Sequence, residues 1–174
     1  MGEQTDFEEV VKFHGHTCPG VTIGYRMAKA AMERLSEKRS EEEEIVAIVE
    51  NNACGVDAVQ VLTGCTFGKG NFIFRDYGKQ VYTFYSRNTG KGYRVVFHGN
   101  KIPETIRGDR EEMTRWLLEA EEEDILDVTE VDIEEPDPAE MVPSIRCEYC
   151  GETVMETRTH KLNGKIACIP CSMK

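Results

Sequence analysis

The chain has 174 residues and a formal net charge of −11, with 30% charged and 40% hydrophobic residues. That length allows one sizeable core plus a small appendage, and the acidity argues against a broad nucleic-acid-binding surface. No apolar run is long enough to cross a bilayer, and Met1-Gly2-Glu3-Gln4 is expected to begin no signal peptide. Seven cysteines, an odd number, fit metal ligands or reactive thiols in a reducing compartment better than a disulfide framework. The expected location is the cytoplasm.

In chain order, Thr5-Asp6 followed by Glu8 and Glu9 predicts a helix start with a capping box. Phe7, Val10, Val11 and His14 share one face of that helix, and Gly15 ends it. His14, on the apolar face, reads first as a core histidine. His16-Thr17-Cys18 is a short loop, and Pro19 suits the first turn of a second helix running to about Lys38. Gly20, Gly24 and Ala28 make a small-residue stripe on it. Glycine costs a helix about 1 kcal/mol relative to alanine, so the stripe predicts close approach of another backbone or a ligand. Tyr25 and Arg26 follow the stripe and face either a pocket or solvent.

Ser36–Glu44 is a charged connection, and Ile45–Val49 predicts a buried strand. Cys54 lies between that strand and a helix over Val56–Thr63, which Gly64 closes, with Cys65 just beyond. Asp57 falls in the first turn of this helix, where the dipole favours a carboxylate. The glycine-rich run Gly64–Asn71 matches no phosphate-loop spacing and reads as a constrained turn, with Lys69 solvated. Phe72–Arg75, Val81–Ser86 and Tyr93–Phe97 predict an antiparallel meander. Asp109–Glu123 predicts an amphipathic helix, and Leu126–Ile133 a further strand. His98 and His160 read as structural or surface residues. The fold class is α+β, an antiparallel sheet with packed helices. A core over 1–133, an acidic Pro-containing linker over 134–144 and a small domain over 145–174 complete the organisation.

The last segment carries the sharpest motif. Cys147 and Cys150, then Cys168 and Cys171, form C-x2-C twice, seventeen residues apart, the spacing of a structural zinc site of zinc-ribbon or treble-clef type. Asn163-Gly164 predicts a hairpin turn between strands Thr157–Leu162 and Lys165–Cys168. Four thiolates leave no open position, so this zinc is structural. The tail is mildly basic but holds few basic or aromatic residues, so nucleic-acid binding is weakly supported.

A second candidate centre lies in the core. Cys18 sits where a helix N-terminus stabilises a thiolate, and His16 is two residues away. Together they suggest a second transition metal ion with an open position, with Cys54 or Cys65 as a further ligand. A helix of that length spans roughly 12–15 Å, so Cys54 and Cys65 are not expected to share one ion. The catalytic candidates are His16, Cys18 and Cys54. The competing reading is a metal-free reactive Cys18 with His16 as its base.

F-H-G-H-T-C-P-G at Phe13–Gly20 resembles the signature of the FmdE family, named after a component of formylmethanofuran dehydrogenase. Asn51–Asn71, N-N-A-C-G-V-D-A-V-Q-V-L-T-G-C-T-F-G-K-G-N, resembles that family's second motif, and with the meander the likeness covers most of residues 5–135. The resemblance implies an α+β core, tight homodimers, a C-terminal zinc finger in some members, and His16, Cys18, Cys54 and Cys65 as metal or active-site residues. No further cysteine clusters of the iron–sulfur kind are present. The expected function is an accessory or enzyme-like component of anaerobic one-carbon metabolism. The alternative is a non-catalytic dimeric binding module whose zinc finger makes protein–protein, metal-sensing or nucleic-acid contacts.

Overall fold

Two compact units divide the chain, residues 1–138 and 139–174. The computed structural model describes the backbone of residues 3–173 and the side chains from residue 6 onward. In the larger unit the helices are α1 (Glu3–His14), α2 (Pro19–Leu35), α3 (Gly55–Thr63), α4 (Arg110–Glu119) and α5 (Glu122–Ile125). The strands are β1 (Ile45–Val49), β2 (Phe72–Phe74), β3 (Val81–Ser86), β4 (Gly92–Phe97) and β5 (Leu126–Val131). They form one sheet in the order β2-β1-β3-β4-β5. The sheet is antiparallel apart from its β1–β2 edge, where Ala47 pairs with Phe72 in parallel register. The expected meander therefore begins at β3. The connection through α3 is the crossover that a parallel pair needs, and it returns β2 to the other side of β1.

Helices cover one sheet face. Ile45, Ala47 and Val49 of β1, Tyr82 and Phe84 of β3, and Val95 of β4 pack against Met27, Ala31, Val59 and Leu117. Neighbouring strand positions point the other way, as the two-residue period demands. Across that second face runs the acidic segment Ile133–Asp137, which with Ile48, Ile73, Arg75 and Thr83 lines an open cleft of about 610 Å³. Arg87, at the end of β3, fastens the segment by donating to the Glu135 carboxylate and to the carbonyls of Pro136 and Asp137. Residues 134–138, expected as linker, thus belong to the larger unit.

Several boundaries differ from the sequence reading. The capping box expected at Thr5 lies inside α1, which already runs from Glu3, and the Thr5 side chain is outside the described residues. Helix α2 stops at Leu35 because Ser36 adopts a left-handed φ of 53° and its N–H returns to Met32 O. The single helix expected over 109–123 is interrupted. Asp109 caps α4 by accepting from Glu111 and Glu112 N–H, worth about 1 kcal/mol, and the chain turns extended at Ala120 and Glu121 before α5. Arg26 donates to the carbonyls of Leu117, Leu118 and Ala120, which satisfies the open end of α4.

The small-residue stripe on α2 is satisfied within the chain. A Cβ on Gly24 would lie 2.2 Å from Gly55 O, so the two backbones are in contact there. The stripe is therefore an α2–α3 contact, the close backbone approach expected of it, made within the chain.

The smaller unit consists of two hairpins and a helical turn. Strands β6 (Ser144–Arg146) and β7 (Thr153–Met155) pair, as do β8 (Thr159–Leu162) and β9 (Lys165–Cys168), and α6 is Ile169–Ser172. Asn163 and Gly164, with φ of 50° and 79°, form the turn between β8 and β9.

Candidate metal centres

In the smaller unit each hairpin ends in one C-x2-C pair. Cys147 and Cys150 lie between β6 and β7, and Cys168 and Cys171 at the junction of β9 with α6. All four sulfurs lie within 4.8 Å of one another. Two thiolates on a tetrahedral zinc at ~2.3 Å stand about 3.8 Å apart, and the Cys150 and Cys168 sulfurs are 3.9 Å apart. Cys168 N–H donates to Cys147 Sγ at 3.3 Å. Backbone N–H groups, that of Cys150 foremost and then that of Cys168, lower the Cys147 thiol to about 6. The Cys171 thiol is held up, at about 12, chiefly by its hydrogen bond with Cys168. The first proton leaves readily and the last is retained among neighbouring sulfurs, as expected of a crowded thiol set that a cation completes. The cluster fits a small zinc-binding domain.

The core centre forms where α1, α2 and the N-terminus of α3 meet. His14 ends α1, His16 follows in the loop and Cys18 caps α2, its Sγ accepting from Val21 N–H at 3.4 Å. Ligand atoms of His14, His16 and Cys18 lie within 4.8 Å of one another. His14 Nε2 is 3.9 Å from Cys18 Sγ, and the two imidazole centroids are 4.6 Å apart. A nitrogen and a sulfur on one tetrahedral ion stand about 3.6 Å apart, so the donor set fits a transition metal. The other His14 nitrogen, Nδ1, is 2.7 Å from Asp57 Oδ2. A carboxylate in that place fixes the proton on Nδ1 and leaves Nε2 as the donor atom.

Cys54 stands beside this group. It precedes α3, where Asn51 holds the approach: its Oδ1 accepts from Ala53 N–H, and its Nδ2 donates to Lys79 O at 2.6 Å and Gln80 Oε1 at 2.8 Å. Burial, and next the neighbouring Cys18 thiol, raise the Cys54 thiol above its ordinary value. Cys65 lies elsewhere. It is fully buried in the sheet–helix core, donates to Ile45 O at 3.2 Å, and burial pushes its thiol up to about 11. The structure brings together His16 and Cys18, as the sequence suggested, places Cys54 next to them and leaves Cys65 outside the group. It adds His14 and its partner Asp57. The available signal was the H-x-H-x-C run itself. Reading His14 by its helical face hid it, because a residue at a helix end turns with the loop that follows.

Other singled-out residues have structural partners. Lys69 Nζ donates to the carbonyls of Ser40 and Glu41, and His98 is 3.8 Å from Asp127. Among the described residues no helix is long and apolar enough to cross a membrane.

Residues 13–133 match the family described as FmdE, molybdenum formylmethanofuran dehydrogenase operon. An Archaeoglobus fulgidus protein called a probable S-adenosyl-L-methionine-binding protein is 37% identical over 84% of this chain. The chain spans about half the length of that curated relative, 48%. A crystal structure of a tungsten formylmethanofuran dehydrogenase FmdE-like protein from Syntrophus aciditrophicus superposes with a TM-score of 0.72 at 26% identity, covering 97% of this chain and 91% of the other.

Proposed function

Because the chain belongs to the FmdE family, we propose that it is a two-centre metalloprotein. A structural zinc holds the four tail thiolates, and a second transition metal is held in the core by His14, His16 and Cys18. On this reading it serves as an accessory or enzyme-like component of anaerobic one-carbon metabolism, acts in the cytoplasm and works as a homodimer. The observation that carries the reading is the convergence of His14, His16 and Cys18 donor atoms within 4.8 Å, with Asp57 holding the far side of His14. Three protein ligands leave a tetrahedral ion one open position, for Cys54 or for a substrate atom. A metal held there supplies Lewis acidity toward an oxygen of the substrate. The protein's own part is to orient His14 through Asp57, to hold the Cys18 sulfur at the start of α2 through the Val21 N–H, and to place Cys54 nearby.

The test is metal stoichiometry. The intact chain should carry two metal equivalents, Cys150→Ser one, and the His16→Ala/Cys18→Ser double variant one. A wild-type chain with a single equivalent that Cys150→Ser abolishes would sink the core centre.

A second reading has one supporting observation. The half-length match is to a protein named for probable S-adenosyl-L-methionine binding, so a binding module for that ligand is the competing proposal. Its tail would add a protein contact through the exposed Tyr149, Met155 and Ile169. Equilibrium dialysis against S-adenosyl-L-methionine decides it, since the metal-centre reading predicts no saturable uptake.

A further inference from the structure

Cys18 and Cys54 belong to different helix ends that the packing of Gly24 on Gly55 forces together. Cys18 is the N-cap of α2, and Cys54 immediately precedes α3. Gly20, the second residue of α2, marks the gap between them. A Cβ built on Gly20 would lie 3.2 Å from Cys54 Cβ, 3.7 Å from Cys54 Sγ and 3.8 Å from Cys18 Sγ. Both sulfurs therefore border the small space that the absent side chain leaves.

From this arrangement we propose that Cys18 and Cys54 form a reversible dithiol–disulfide pair, whose oxidation closes the core centre to metal. The second clause rests on the metal reading; the first does not. The two thiols come from different helices. Cys18 Sγ is held at the start of α2, accepting from Val21 N–H at 3.4 Å. Cys54 stands on the other helix, just before α3. The oxidant is a peroxide. The Cys18 thiolate attacks one peroxide oxygen, the O–O bond breaks, and after protonation hydroxide leaves as water, giving a sulfenic acid. Cys54 then attacks the Cys18 sulfur, its thiol proton goes to the departing hydroxyl, and a second water leaves. Two thiols and one hydrogen peroxide give one disulfide and two waters. Cys65 is the internal control, since it is fully buried and bonded to Ile45 O.

The experiment uses the full reduced chain, with and without zinc preloading, treated with hydrogen peroxide in excess over the tail thiols, sampled over time, then alkylated, digested and mapped by mass spectrometry. The expected product joins the Cys18 and Cys54 peptides, with the loss of two hydrogens, while Cys65 is still alkylated after unfolding, and dithiothreitol reverses it. Zinc should slow the linkage about tenfold or more, because a metal-bound thiolate is not free to attack. Cys54→Ser should instead accumulate sulfenic and sulfinic acid at Cys18. Linkage at equal rates with and without zinc would leave the pair standing and overturn the metal reading. Cys18 sulfinic acid in the wild type without any Cys18–Cys54 link would overturn the pair.

Discussion

Asp57 Oδ2 stands 2.7 Å from His14 Nδ1, across 43 positions of sequence. His14 is at the last turn of α1 and Asp57 in the first turn of α3. The α3 N-terminus favours the Asp57 carboxylate, and that carboxylate selects which imidazole nitrogen faces Cys18. A residue with two bland roles, a carboxylate in a helix's first turn and a hydrogen-bond partner, thereby orients the core centre.

Replacing Asp57 with Asn should weaken core metal affinity by about 10–100-fold, the usual cost of losing a carboxylate behind a histidine ligand. The tail metal should be unaffected. Competition with a chromophoric chelator measures this, and unchanged core affinity in a well-folded Asp57→Asn protein would remove the orienting role.

Gly24→Ala should be among the most damaging single-methyl changes in the larger unit. Its Cβ would meet Gly55 O at 2.2 Å, backbone against backbone, so α2 and α3 must separate. A loss of about 1–3 kcal/mol or more is expected from such overpacking, read by urea unfolding followed through Trp116 fluorescence. Because Cys18 and Cys54 ride on those helices, core metal binding should fall with it. Wild-type stability in Gly24→Ala would contradict the observed contact.

The strap held by Arg87 gives a milder expectation. Arg87→Ala removes its bonds to Glu135, Pro136 and Asp137. Limited proteolysis should then cut faster between residues 134 and 144, while urea stability changes by only about 1 kcal/mol, since such ion pairs are weak. An unaltered cleavage rate would mean the segment is secured by something other than Arg87.

Alkali should weaken the larger unit through Cys65. Burial raises its thiol from an ordinary 9.0 to about 11. A raised acid contributes stability that is complete below its unfolded value and is lost as pH climbs through the folded one. Stability should therefore decline between pH 9 and 11 by about 2–3 kcal/mol at most, the energy of two pKa units. Tyr82, also raised by burial, adds to the decline at higher pH. Cys65→Ala, whatever its own stability, should show a shallower decline over that interval in urea titrations. An equally steep one would assign the loss to other groups.

Much of this was legible in the sequence for physical reasons that are local. Ile45–Val49 was a run of apolar residues of strand length, and it is β1. Asn163-Gly164 dictated a turn geometry that few other pairs adopt, and the turn is there. The four tail cysteines declared their cluster by spacing alone. What was not legible depended on distant partners. The parallel edge β2 follows from where α3 returns the chain, and the strap over residues 133–137 depends on Arg87, nearly fifty positions away. The His14–Asp57 pair belongs to the same class: each residue had a sufficient local explanation, and only the packing of α1 on α3 joins them.

The central claim is the core centre, and cobalt(II) titration of the full-length Cys150→Ser chain tests it with the tail site disabled. One equivalent should bind with a thiolate-to-cobalt charge-transfer band, and that band should vanish when Cys18→Ser is added and weaken with His14→Ala or His16→Ala. A reduced, folded Cys150→Ser protein that shows no such band, or one whose band survives Cys18→Ser, would contradict a metal held by His14, His16 and Cys18.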